Sequence, residues 1–324
     1  MRKLSSLLLL TTLLVACGGA PTPAPTDAPL THVKLAMGYI PDIQFAPFYV
    51  AVEKGYFTEQ GIEIEFVTQF ENESVPLVGV NELQFALVSA EQIIQARAQG
   101  LPVVYVLKWW EKYPIAIAAK ADTGITAPAD LAGRTVGLPG LYGASYIGWQ
   151  ALLNAEGLPA DTAQLEEIGF TQAEAIVAGT VDAAVVYANN EPVKLAAAGE
   201  QLNTILVADY IQLASNGLAT NEQTIKDQPE LVQGMTAAIL KGLSDTLAAP
   251  GEAVQTSLKH IDPPPDAAIA RSVLDASMEM WRTDRPGFSD KARWETTQNV
   301  LLAMKLIPEP IDLDKAFTNE FVKP

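Results

Sequence analysis

Apolar and polar positions along the chain fall into repeated strand-turn-helix units, and the first complete one, 33–66, sets the pattern. Val33, Leu35 and Met37 alternate with Lys34 and Ala36 and predict a strand, whereas Phe45, Phe48, Tyr49, Val52 and Phe57 recur at helical spacing. The loop between them, 38–44, leaves the strand at its carboxyl end, with Pro41 and Asp42 as turn residues. Gly61 supplies a helix C-cap before a second strand, Ile62–Val67.

From Val75 the pattern continues as helix, strand and helix. Leu83–Val88 is a short β-prone run, Ser89 can cap the next helix, and 91–99 is polar and helix-forming. Leu101–Leu107 reads as a buried strand and runs into Lys108-Trp109-Trp110-Glu111-Lys112-Tyr113, three large aromatics within five residues. Ile115–Lys120 predicts a strand crossing to a second lobe. There 130–137 (DLAGRTVG) leads into the glycine-bearing loop 138–146 and a helix through Asn154. Residues 168–170 form a strand tip before the helix 171–179, and Val181–Tyr187 is a strand ending in Ala188-Asn189-Asn190-Glu191-Pro192, where Pro192 suits a first helical turn. The stretch 212–220 crosses back, and the remainder is mainly helical, over 231–247, 267–280 and 291–305.

Ligands of an open α/β sheet bind where loops and helix N-termini converge at the carboxyl ends of the strands. That rule selects Tyr39, Asp42, Gln44, Phe45, Ser89, Glu91, Trp109, Trp110, Tyr113, Tyr142, Gly143, Ser145, Tyr146, Tyr187, Asn190 and Glu191 as candidate ligand-binding residues, with Phe170 on the same rim. Trp109 and Trp110 have two readings, packing beneath a helix or forming a flat wall of a cleft, and at least one is expected to be wall. Asn190 and Glu191 can cap a helix, bind a ligand, or do both. Trp281 and Trp294 are expected to pack helices.

Composition adds a destination. The first 16 residues carry two basic residues and an apolar run, the pattern of a signal peptide, and are too short for a permanent span. Leu14-Val15-Ala16-Cys17 resembles the bacterial lipobox, so Cys17, the only cysteine in 324 residues, is expected to be lipidated and to leave no thiol for a disulfide, a metal or catalysis. Residues 17–31 are proline-rich and aperiodic, a tether reaching roughly 40 Å at about 3.1 Å per residue. The mature 308 residues would hold 19 basic against 38 acidic side chains. That balance, with no basic cluster, argues against nucleic acid. A body lipid-anchored at the cell membrane and facing its extracytoplasmic side is expected.

Catalytic chemistry is scarce. The two histidines, His32 and His260, have no cysteine partner or metal spacing, and there is no nucleophile elbow and no phosphate-binding lysine loop. No enzyme activity and no cofactor are expected.

The strand, the aromatic-bearing loop and GYFTEQGIEIEF at 55–66 resemble the opening of the periplasmic solute-binding proteins of ABC importers. More narrowly they resemble the family shared with the thiamine-pyrimidine synthases, whose importer members bind pyrimidine precursors, sulfonates or riboflavin. DLAGRTVG resembles that family's DLxGKxVG turn, and the likeness extends from Val33 to the C-terminus. It implies an α/β, two-lobed periplasmic-binding-protein-like fold of type II with the ligand cleft between lobes, 32–118 plus 216–324 forming one and 119–215 the other. It also implies docking on a transmembrane permease and, since no Walker motif occurs here, a separate ATP-binding subunit. Where the synthases carry a pyridoxal-phosphate lysine and a consumed histidine, this sequence has Val88 and Gln92, and it lacks their cysteine-rich run. That departure favours a binding protein. Aromatics with neutral or acidic partners, and no arginine in the candidate loops, suit a flat uncharged heterocycle with hydroxyls; within the family that is closest to riboflavin. A thiamine pyrimidine precursor, hydroxymethylpyrimidine or its formylamino relative, is the alternative, and a ligand sensor is a third reading.

Overall fold

Two five-stranded sheets organise residues 29–323, the residues that the computed structural model describes. The signal segment, Cys17 and the tether as far as residue 28 lie outside the described residues. The expected tether boundary at Thr31 moves by one residue, because Thr31 already pairs with Ile62 in the first sheet.

The first sheet is built from β1 (Thr31–Met37), helices α1 (Ala46–Glu53) and α2 (Tyr56–Glu59), β2 (Ile62–Thr68), α3 (Glu71–Gly79), β3 (Phe85–Val88), α4 (Ala90–Ala98) and β4 (Val103–Lys108). The second comprises β5 (Ile115–Lys120), β6 (Thr135–Leu138), α5 (Gly143–Ala155), β7 (Gln164–Glu167), α6 (Gln172–Ala178), β8 (Ala183–Tyr187), α7 (Glu191–Ala197) and β9 (Leu202–Leu206). The chain then returns through β10 (Gly217–Asn221) to α8 (Glu222–Asp227), α9 (Pro229–Ala248), α10 (Pro250–Ser257), α11 (Ala267–Trp281), α12 (Lys291–Ala303) and α13 (Leu313–Ala316).

Strand order is β2-β1-β3-β10-β4 in one sheet and β7-β6-β8-β5-β9 in the other. Each sheet carries one strand that runs against its neighbours. β10 returns to lie antiparallel between β3 and β4, and β5 arrives to lie antiparallel between β8 and β9. Gly217 opens β10 where a Cβ would stand 2.0 Å from the Leu107 carbonyl oxygen and 2.2 Å from the Tyr105 hydroxyl, so no larger residue fits that crossing.

Both faces of the first sheet are covered by helices, which explains the sequence pattern. Val33, Leu35, Phe85, Leu87, Val104 and Val106 bury on one face, while Ala36, Ala86, Val88, Val103 and Tyr105 bury on the other. The alternation at 33–37 is thus large-apolar against small-apolar as much as apolar against polar. The second face shares its core with the second sheet, through Ile115, Ile117, Val136, Trp149 and Val185. Trp281 and Trp294 are buried against helices and rings, Trp294 stacking on Phe317 at 4.9 Å, as expected.

A candidate ligand cleft between the two sheets

The chain passes between the sheets at 109–114 and again at 207–216. The two passages are tied together: the Trp109 and Trp110 amides donate to the Asn216 carbonyl oxygen at 3.1 and 3.2 Å. Glu111 and Lys112 donate from the first passage to the Met280 carbonyl oxygen, both at 3.1 Å, and Arg293 on α12 pairs with Glu111 at 2.8 Å. The floor of the cleft is therefore also its crossing point, with Trp109, Trp110 and Asn216 all facing the hollow.

Strand tips of both sheets make the walls. From the first come Gly38, Tyr39, Gln44 and Phe45 after β1, Phe70 and Glu71 at the start of α3, and Leu87 at the end of β3. From the second come Pro139 and 142–145 after β6, Phe170 and Gln172 after β7, and Tyr187, Asn190 and Glu191 after β8. Counted out to its mouth, the hollow holds about 790 Å³, but centres of water molecules reach only about 80 Å³ of it. It is a narrow slot.

Aromatic rings line it at both ends. Trp109 stacks on Phe45 (5.5 Å, 27°) and lies 5.1 Å from Trp110, with Trp281 behind both. At the mouth Tyr39 meets Phe170 edge-on at 4.7 Å, and Phe70 reaches Phe170 at 5.5 Å and Tyr142 at 6.2 Å, so rings of the two walls touch. Asp42 and Lys194 add an ion pair across the same gap at 2.8 Å, and Asn189 donates to the Ser277 hydroxyl at 2.9 Å.

Polar groups in the slot are short of partners. Trp109 Nε1, Trp110 Nε1, Gln44 Oε1, Gln172 Oε1, Asn190 Oδ1 and Asn216 Oδ1 are all buried without a hydrogen bond. Buried polar atoms are almost always paired, so six orphans on one surface mark where a ligand with donors and acceptors would complete the set. No lysine, arginine or histidine among the described residues lines the slot. Its ionisable groups are acids. Burial pushes Glu71 up, against hydrogen bonds from Ser89 that pull it down, and burial pushes Glu191 up to about 7. Glu91, fully buried behind the wall, is pushed up to about 8 by burial and by the charge of Glu71. Among the described residues no cluster of His, Cys, Asp or Glu is placed to hold a metal ion, and no helix is long and apolar enough to cross a membrane.

Of the candidate residues, Tyr39, Gln44, Phe45, Trp109, Trp110, Tyr142, Gly143, Ser145, Tyr187, Asn190 and Glu191 line the slot. Five stand elsewhere. Asp42 turns to its own loop, accepting from the Gln44 amide at 3.2 Å, and to Lys194. Ser89 sits at the N-cap of α4, yet its side chain makes no cap bond; the hydroxyl and the amide both donate to Glu71. Glu91 and Tyr113 lie one layer deeper, the Tyr113 hydroxyl donating to the Ala144 carbonyl oxygen at 2.9 Å and to Glu91 at 3.3 Å. Tyr146, nearly one turn further along α5 than Gly143, packs on the shared core. Arg134, in the turn before β6, is half-exposed and 3.7 Å from Asp182.

Glu71, Gln172 and Asn216 line the slot without standing out in the sequence. Apolar spacing places the helix bearing Glu71 only from Val75, but Glu71 and Glu73 in its first turn are an ordinary helix-start signal that puts it on the rim.

Known proteins resemble this chain in sequence and in fold. The family model described as NMT1/THI5 like matches residues 42–253. A riboflavin-binding protein, RibY of Chloroflexus aurantiacus, is 40% identical, the match covering 99% of this chain and 98% of that protein. A formylaminopyrimidine-binding protein of Halalkalibacterium halodurans is 27% identical over 98% of both. Among solved structures, the alkanesulfonate-binding protein SsuA of Xanthomonas axonopodis pv. citri, bound to MOPS, superposes with a TM-score of 0.73 at 14% identity, covering 90% of this chain and all of that one. That likeness is one of fold: two lobes with a cleft between, of the periplasmic-binding-protein kind.

Proposed function

The chain belongs to the NMT1/THI5-like family, and from that premise we propose that it is the solute-binding lipoprotein of an ABC importer, capturing riboflavin and handing it to a membrane permease. The observation that carries the reading is the slot itself: ring walls on both sides, unpartnered indole and amide groups between them, and no cation among its lining residues. Isoalloxazine is a flat ring system with an imide edge that both donates and accepts, and its ribityl tail carries hydroxyls. Orphaned amides would meet the imide edge, and acids would accept from the tail. The resemblance to RibY over nearly the whole of both chains supports the same ligand.

The lobes would be 32–118 with 216–324, and 119–215, closing about the two passages on ligand. Slot residues would bind and orient rather than catalyse. Attachment through a lipid on Cys17, with permease and ATP-binding subunit as separate chains, completes the proposal; an unmodified thiol after metabolic lipid labelling would remove the anchor from it.

The test is a fluorescence titration. Riboflavin emission should be quenched as the ring stacks between aromatic walls, and absence of binding at micromolar ligand would overturn the assignment. A pyrimidine of the thiamine pathway is the second reading, favoured by one observation: the part of the slot open to water centres is only about 80 Å³. Formylaminopyrimidine that binds where riboflavin does not would establish it instead.

A further inference from the structure

Resting on the reading of the cleft as a flavin site, we propose that Glu71 sets its charge selectivity, accepting a hydrogen bond from a neutral hydroxylated tail and excluding a ligand that carries an anionic group at that end. Glu71 is the first residue of α3 and lines the slot. Its Oε2 accepts the Ser89 amide at 3.1 Å and the Ser89 hydroxyl, and its Oε1 accepts Asn216 Nδ2 at 3.3 Å. A carboxylate has about four acceptor positions, so these three donors fix it and leave capacity for one more.

Opposite stands the start of α5. A Cβ on Gly143 would lie 3.7 Å from Glu71 Oε2, and Tyr142 provides no side-chain cap for this 13-residue helix. The positive end of a helix attracts anions, but here that end faces a carboxylate already held by the protein. An arriving phosphate or sulfate would meet Glu71 before it met free amides. The other ionisable groups near Glu71 do not help such an anion: Glu91 on α4, Tyr113 on the first passage, Tyr142 before α5 and Tyr187 at the end of β8 are acids or phenols. Asn216 Oδ1, buried beside Glu71 and unpartnered, marks the same end as one where a ligand donor is missing.

The experiment is a pair of titrations, riboflavin and its 5′-phosphate, on the wild-type chain and on Glu71→Gln. Wild type should bind the phosphate roughly 100-fold more weakly than riboflavin, since like charges a few ångströms apart in a partly dry site repel strongly. Glu71→Gln should narrow that gap at least about tenfold. Equal binding of the two flavins by wild type, or a gap unchanged by the substitution, overturns the proposal while leaving the importer reading standing. Failure of wild type to bind riboflavin overturns both. If Glu71→Gln does not fold, wild type is titrated with riboflavin and riboflavin 5′-sulfate, whose charge is constant, at low and at high salt. The gap should shrink as salt screens the repulsion, and a gap indifferent to salt overturns the proposal.

Discussion

At the scale of single residues, the two tryptophans carry both readings that the sequence left open. Each is buried, each belongs to the aromatic cluster with Phe45 and Trp281, and each presents an unpartnered Nε1. Replacing Trp109 or Trp110 by Ala should weaken flavin binding by roughly 1 kcal/mol or more for a stacking wall. Trp110→Phe, which keeps a ring, separates the indole N–H from the packing; unchanged affinity in all three would contradict the wall assignment. Glu91 lies behind the slot wall, where its titration should register in stability. Its folded-state pKa of about 8 lies above the usual carboxylate value, so the stability it contributes is whole below that usual value and is lost as pH rises through 8. Calorimetry should show the melting temperature falling between pH 5 and pH 8, and Glu91→Gln should flatten that slope. The aromatic lining was legible because ring residues at strand tips stand out in a chain with few aromatics. Glu71 was not, because its role depends on Ser89 and Asn216, 18 and 145 residues away.

At the scale of elements, most strands were legible to within about two residues and the three long C-terminal helices nearly so, whereas β9 and α10 had no counterpart in the sequence reading and β7 ends at Glu167, before the expected tip at 168–170. What periodicity cannot supply is which helix covers which sheet face. α9 packs on α1 so closely that a Cβ at Gly242 would stand 2.1 Å from the Pro47 carbonyl oxygen. Backbone cannot yield there as a side chain can. Gly242→Ala should therefore cost roughly 1–3 kcal/mol, seen as a drop in melting temperature of about 2–4 °C per kcal/mol. Gly251→Ala, with nothing nearer than 4.0 Å, is the matched control. Asp42 shows the converse. Its position in the loop after β1 suggests a ligand group, whereas it reaches α7 and pairs with Lys194. That pair is half-exposed on the lysine side, so Lys194→Met should loosen closure by no more than about 1 kcal/mol, read as a modestly faster release of ligand.

At the scale of the whole molecule, two sheets joined by two chain passages and touching through rings at the mouth describe a closed arrangement. Small-angle scattering of the ligand-bound protein should match this closed arrangement, and the ligand-free protein should be more extended; identical profiles would argue against hinge motion. The division of the chain into sheets rests on strands at 115–120 and 217–221 that a sequence can place, but the register locking β10 between β3 and β4 requires Gly217, whose meaning appears only beside Leu107 and Tyr105.

Under the proposed closure, a guest seated on Trp109, Trp110 and Asn216 of the two passages would meet the same atoms in the gaping and the shut protein, whereas Tyr39, Phe170 and Tyr142 would come together only at the end of the swing. Changes at the first set should slow capture, and changes at the second should shorten residence while capture stays fast. Stopped-flow traces would separate the two sets by which rate constant moves.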